Sequence, residues 1–194
     1  HDKGIPPGDW LRDYYQTYLE RDVRDVLNVR DIEAFSRFVR LCAGRAGQIL
    51  NLSGLVGVSD LNPLKDMKGL GHLNQQGCVN ALDLGPLADL PLRHLDLSHT
   101  RVTDLKPLKD VKSIEWLDLS STPVRDIGPL AGKPLKWLDL SSTKVVARLD
   151  ALKGAPLAYL NIKSNSSLSD ISALAGMPLV TNLMDGTTVR SIAA

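Results

Sequence analysis

The chain has 194 residues, 43% hydrophobic and 23% charged, with a formal net charge of +1. That length fits one domain or two small ones, and the near-neutral charge excludes a strong electrostatic pull on nucleic acid or anionic lipid. There is no run of about 18 apolar residues, so no membrane-spanning helix is expected.

The first 48 residues read as helix. Pro6-Pro7-Gly8-Asp9 is a loop ending in an N-cap at Asp9. Trp10, Leu11, Tyr14, Tyr15, Tyr18, Leu19, Val23, Val26 and Leu27 then recur at helical spacing. A second amphipathic run carries Ile32, Phe35, Phe38, Val39 and Cys42 on one face. The stretch WLRDYYQTYLERDVRDVLNVRDIEAFSRFVRLCAGRAGQILNLSGL, with its motif YLERDVRDVLNVRD, resembles the start of an uncharacterised C-terminal domain of prokaryotic AAA-type ATPases. In that family the stretch leads into a winged-helix-like unit. Here the chain departs after Gly57-Val58-Ser59, and no GxxxxGK[ST] phosphate loop occurs, so no ATPase activity carries over. The lost reading helix speaks equally against DNA binding. The helical segment is expected to cap the remainder of the chain; an independent module is the alternative.

From residue 49 to residue 194 the chain repeats itself. LRHLDLSHTRVTDLKPLKDV, IEWLDLSSTPVRDIGPLAGK and LKWLDLSSTKVVARLDALKG align in phase, and LAYLNIKSNSSLSDISALAG joins them. LGHLNQQGCVNALDLGPLAD fits with one extra residue, and the period is 21 to 22 residues. In the unit from Leu92 the apolar positions are Leu92, Leu95, Leu97, Val102, Leu105, Leu108 and Val111. This is neither a 3.6-residue period nor a long alternation. Leu95-Asp96-Leu97 predicts one brief strand per unit, and the three-residue spacing after it predicts a tight 3₁₀-like return.

The pattern resembles the leucine-rich repeat, and its length resembles the 22-residue class of bacterial internalins and a eukaryotic phosphatase-regulating protein. The resemblance implies an α/β solenoid of about six to seven short parallel strands on the concave face, behind the N-terminal helical cap. One unit buries too few side chains to offset its own chain entropy, so only stacked units fold. The Asn position of the motif holds Thr100, Thr122, Thr143 and Thr187, and Asn165 in one unit. Both residue types can donate and accept at a buried turn. Cys78 holds the place in one unit, where a looser turn is expected. Cys42 and Cys78 read as free thiols, with neither disulfide nor metal site, which points to a reducing, cytoplasmic compartment. Asn182 stands where a buried Leu belongs, so the last unit is expected to fray, to be capped, or to pair with a second copy; the chain is expected to be a monomer or a weak homodimer.

Phase fixes which side chains leave the sheet. One outward column is His72, His94, Trp116, Trp137 and Tyr159; the next is Asn74, Asp96, Asp118, Asp139 and Asn161; a third is Gln76, Ser98, Ser120, Ser141 and Lys163. An aromatic stripe on a sheet is an apolar patch of the kind found at binding sites. The alternative is that the rings pack on one another and cover backbone. The three aspartates repel one another and favour a basic partner. His72 and His94 lie near Asp96 and Ser98, but parallel strands do not converge these groups and no GxSxG elbow occurs, so no catalytic residue is assigned. The expected site is a partner-binding one: His94, Trp116, Trp137, Tyr159, Asp96, Asp118 and Asp139. It would take a protein or peptide with basic groups, with no cofactor, metal or nucleic acid. The rival is a regulatory module tied to nucleic acid or an ATPase through the N-terminal segment.

Overall fold

The computed structural model describes residues 48–54, 57–144 and 147–183. The expected helical cap, with Cys42, and Thr187 of the last unit lie outside the described residues.

Each unit contributes one strand to a parallel sheet. The strands are β1 (Gln48–Asn51), β2 (Leu70–Asn74), β3 (His94–Asp96), β4 (Trp116–Asp118), β5 (Trp137–Asp139), β7 (Tyr159–Asn161) and β9 (Thr181–Leu183), in that spatial order. The strands are short because only one leucine, such as Leu95, Leu117 or Leu138, points inward between two outward residues. Register is kept from unit to unit: His94 faces Trp116, Trp116 faces Trp137, and Trp137 faces Tyr159. Among the described residues this sheet has seven strands.

The chain leaves β1, β2, β3, β4, β5 and β7 through a left-handed residue. Gly54 and Gly77 take this position in the first two units at φ of 72° and 71°; His99, Ser121, Ser142 and Ser164 take it later at φ of 55° to 59°. The glycines adopt this conformation freely, whereas a side chain there costs about 1 kcal/mol. The threonines close the turn as expected. Thr100, Thr122 and Thr143 each donate their hydroxyl to the carbonyl three residues back, at 2.7, 2.6 and 2.7 Å. Asn165 does more: its amide donates to Leu140 O of the preceding unit at 2.7 Å and to Ile162 O at 3.1 Å.

Cys78 corrects an expectation. Its turn is not loose: Gly77 is left-handed like its equivalents, and the Cys78 N–H donates to Gln75 O at 2.9 Å. The thiol donates to Leu52 O of the preceding unit at 2.9 Å, the same inter-unit service Asn165 performs. A thiol is a weak donor, but the backbone conformation comes from Gly77 and does not depend on it.

The return legs are 3₁₀ turns at Asn62–Leu64, Gly85–Leu87, Lys106–Asp110, Gly128–Leu130, Asp150–Leu152 and Ser172–Leu174. Four begin with a proline in the first turn, where no N–H is needed. Asp60, Asp83, Asp104, Asp126 and Asp170 each accept the N–H two residues on, at 2.7 to 2.9 Å, and so start these turns. Arg148 replaces the aspartate in one unit. There the chain forms an extra strand, β6 (Ala147–Arg148), which pairs in parallel with β8 (Leu168–Asp170). One strand per unit therefore does not hold for these two units. Arg148 spans the new pair, 3.0 Å from Asp150 and 3.3 Å from Asp170.

Leucines from every unit fill the space between sheet and returns, and most are fully buried. Gln75 and Lys133 are buried at positions that are apolar in other units. Gln75 stands where the neighbouring units have Leu52 and Leu97; it is 1% exposed, and neither its amide nitrogen nor its oxygen has a partner among the described residues. Lys133 stands where other units have Leu90, Val111, Ala155 and Met177. Its ammonium donates to Leu108 O and Val111 O, both at 2.6 Å, at the end of the preceding return. Burial, with the Lys112 charge nearby, lowers its pKa to about 8.

Candidate functional site

The outward residues of the sheet form straight columns because register never slips between β2 and β9. Adjacent parallel strands lie about 4.8 Å apart, close to the thickness of two stacked rings. Trp116, Trp137 and Tyr159 therefore stack face to face, whereas His72 and His94 are tilted by 38° to one another. Ring centroids are 4.1 Å apart for His72 and His94, 6.2 Å for His94 and Trp116, 4.3 Å for Trp116 and Trp137, and 4.7 Å for Trp137 and Tyr159. The last two pairs are nearly coplanar in orientation, at 12° and 3°. All five side chains are half-buried. The rings thus pack on one another along the column, as one of the two readings of the stripe expects. A ring edge carries the positive side of the quadrupole and the face the negative side. The negative faces between neighbours are used up inside the stack.

Ile49 heads this column. It pairs with His72 and is 64% exposed. Its place was visible in the likeness of Ile49-Leu50-Asn51-Leu52-Ser53 to Trp137-Leu138-Asp139-Leu140-Ser141, which also puts Asn51 at the head of the polar column.

The polar column has a structural duty that the sequence reading missed. Asn51, Asn74, Asp96, Asp118, Asp139 and Asn161 each accept, through Oδ1, the N–H two residues on, at 2.7 to 3.1 Å. These bonds start the turn after each strand. Ser98 adds its hydroxyl to Asp96 Oδ1 at 2.7 Å. Asp139 is fully engaged, since its Oδ2 accepts from Asn161 Nδ2 at 2.8 Å. Burial raises the pKa of Asp118, and the carboxylates of Asp139 and Asp96 raise it further, against the Ser120 hydrogen bonds. Tyr159 is likewise raised, by burial and by Asp139.

A charged margin runs on the other side of the rings. Glu115 lies 2.6 Å from Lys136 and 3.6 Å from Arg93, so one carboxylate bridges two basic groups. The Lys136 hydrogen bond is the main reason the Glu115 pKa is lowered. Burial lowers the pKa of His94, helped by the adjacent His72, and His94 Nδ1 is enclosed without a partner among the described residues. Ser98 gives its hydroxyl to Asp96 and is itself buried, so no nucleophile–base pair forms with either histidine. Among the described residues no group of three or more His, Cys, Asp or Glu side chains is placed to hold a metal ion. A depression of about 280 Å³ opens over the first four strands, with Ile49, Asn51, His72, Asn74, Asp96 and Trp116 in its wall.

The in-register sheet, the 3₁₀ returns and the Thr/Asn turns define a leucine-rich-repeat solenoid. Solved structures agree. Internalin C2 of Listeria monocytogenes superposes with a TM-score of 0.60 at 24% identity, over 66% of this chain and 57% of that one. Internalin InlF of the same organism gives 0.61 at 23% identity, over 84% and 53%. TLR13, solved as a complex with the RNA ssRNA13, gives 0.63 at 20%, over 78% and 23%. The chain thus spans little more than half of the two internalins. A family model described as a domain of unknown function (DUF8612) matches residues 2–63. No curated protein matches the sequence. Among the described residues no helix is long and apolar enough to cross a membrane.

Proposed function

We propose that this chain is a non-catalytic scaffold that captures a protein or peptide on the outer, concave face of its sheet. The observation that carries the reading is the continuous, half-exposed ring stack from His72 to Tyr159, flanked by Asp96 and Asp118. His94, Trp116, Trp137 and Tyr159 supply rigid contact area at low entropy cost. Asp96 and Asp118 favour basic groups, while Asp139 holds the shape of the column. The solenoid shared with the internalins supports a recognition role for such a face. Nucleic acid fits it poorly: ring faces are closed to stacking bases, and the carboxylates repel phosphate.

Replacing Trp116 and Trp137 by alanine is expected to weaken binding of the proteins retained from a native lysate by more than about 2 kcal/mol, measured on the purified partner. The same change removes three ring contacts, each worth about 0.5–1.5 kcal/mol beyond burial, so the melting temperature should fall while the circular dichroism spectrum keeps its shape. Equal affinity of wild type and double variant would overturn the proposal.

A further inference from the structure

The turn after each strand dictates what the polar column offers to a ligand. A backbone N–H can only be met by oxygen, so the Ser53 and Gln76 N–H groups fix the side-chain amides of Asn51 and Asn74 with oxygen turned inward. Their Nδ2 groups are left as outward donors. In the next two units the same geometry leaves a carboxylate instead. Asp96 Oδ1 takes both Ser98 groups, and Asp118 takes the Ser120 N–H on Oδ1 together with a Ser120 hydroxyl bond, but neither carboxylate is tied to the next unit as Asp139 is. At Asp139 and Asn161 the column closes on itself through the 2.8 Å hydrogen bond between them. The column therefore has three zones along the solenoid: donors over β1 and β2, anionic acceptors over β3 and β4, and a self-satisfied pair over β5 and β7. The depression of about 280 Å³ lies over the first zone, reaches Asp96 of the second and includes the exposed Ile49; Asp118 stands beside it.

Resting on the docking reading above, we infer that this half of the face takes a peptide segment that lays an arginine across Asp96 and Asp118 and a carbonyl acceptor on Asn51 or Asn74. The charge is complementary: two carboxylates in adjacent strands share a site, and a cation between them relieves their repulsion. The geometry favours a guanidinium, whose planar fork can give one N–H to each of two acceptors about 4.8 Å apart. The cation sits over the carboxylates and not over the rings, because stacked neighbours cover the negative ring faces. Ile49, His72 and Trp116 then meet the apolar parts of the segment.

The test uses a fluorescein-labelled, acetylated and amidated peptide alternating glycine and arginine, and its citrulline counterpart, which keeps the shape and loses the charge. Binding is read by fluorescence anisotropy at low ionic strength. The arginine peptide is expected to bind at least about tenfold more tightly, and Asp96→Asn or Asp118→Asn to weaken it about tenfold. Both variants keep the turn, as Asn51, Asn74 and Asn161 do in their own units. Asp126→Asn removes the same charge on a return leg and is expected to leave binding unchanged. Equal binding of the two peptides, no binding of the arginine peptide, or an equal loss in Asp126→Asn would overturn the arginine assignment. If the tryptophan double variant has still lost its partner, the docking face stands without the arginine site; if it binds like wild type, both readings fall.

Discussion

A single substitution type should act with opposite sign in neighbouring units. Asp118 and Asp139 occupy equivalent positions and start equivalent turns, yet their second oxygens differ. Asp118 lies between two like charges, and burial, followed by Asp139 and Asp96, raises its pKa against the hydrogen bonds from Ser120. A carboxyl raised in the folded state stabilises fully below its unfolded pKa, and that contribution is lost as pH rises through the folded value. At neutral pH the charge is therefore a cost. Asp118→Asn is expected to raise stability by about 0.5 kcal/mol at pH 7, with the gain shrinking towards pH 3. Asp139→Asn instead turns a donor towards the Asn161 amide and should cost about 1–3 kcal/mol. Urea titrations of both variants at pH 7 and pH 3 check this; equal signs at pH 7 would refute it. The column of aspartates was legible in the sequence, as was its place beside the rings. The Asx bond was not singled out there, and the Asp139–Asn161 contact could not be, because it joins units 22 residues apart.

At the scale of elements, the strands and returns arise from local chemistry: an inward leucine, a left-handed exit, an aspartate to begin the return and a proline to stiffen it. The returns at Asp150–Leu152 and Ser172–Leu174 form without the proline, and beside Arg148 the chain adds an extra strand pair. Lys133 is the other departure. Its ammonium ties the end of one return, through Leu108 O and Val111 O, to the end of the next. Its pKa falls to about 8, chiefly through burial, from a usual value near 10.5. The folded protein then holds fewer protons than the unfolded chain between about pH 8 and 10.5, so stability rises with pH across that window. Lys133→Met, which matches Met177 in its own unit, should lack this rise. Urea midpoints at pH 7 and pH 9.5 measure it, and parallel shifts in the two proteins would count against the buried ammonium.

Among the described residues the main contacts between elements run from each unit to the next, so stability is a sum of local terms and the weakest junction opens first. Gln75 marks that junction. It places an unsatisfied amide in the shared interior between Leu52 and Leu97. Gln75→Leu is expected to stabilise by about 1–3 kcal/mol. Hydrogen exchange should show the gain in β1 to β3, with protection in β5 and β7 unchanged; a uniform gain would mean that the solenoid opens as one unit.

The sequence by itself determined the solenoid, the phase of every unit and the two outward columns, because these rest on a short repeated pattern of apolar, turn-forming and small polar residues read within one period. Only the tertiary structure decided how those columns are spent. Ring faces close on one another, one aspartate is tied to an asparagine, and a lysine and a glutamine sit among leucines. Each of these depends on what the unit above or below places at a spacing of about 4.8 Å, and no single period of the chain contains that neighbour.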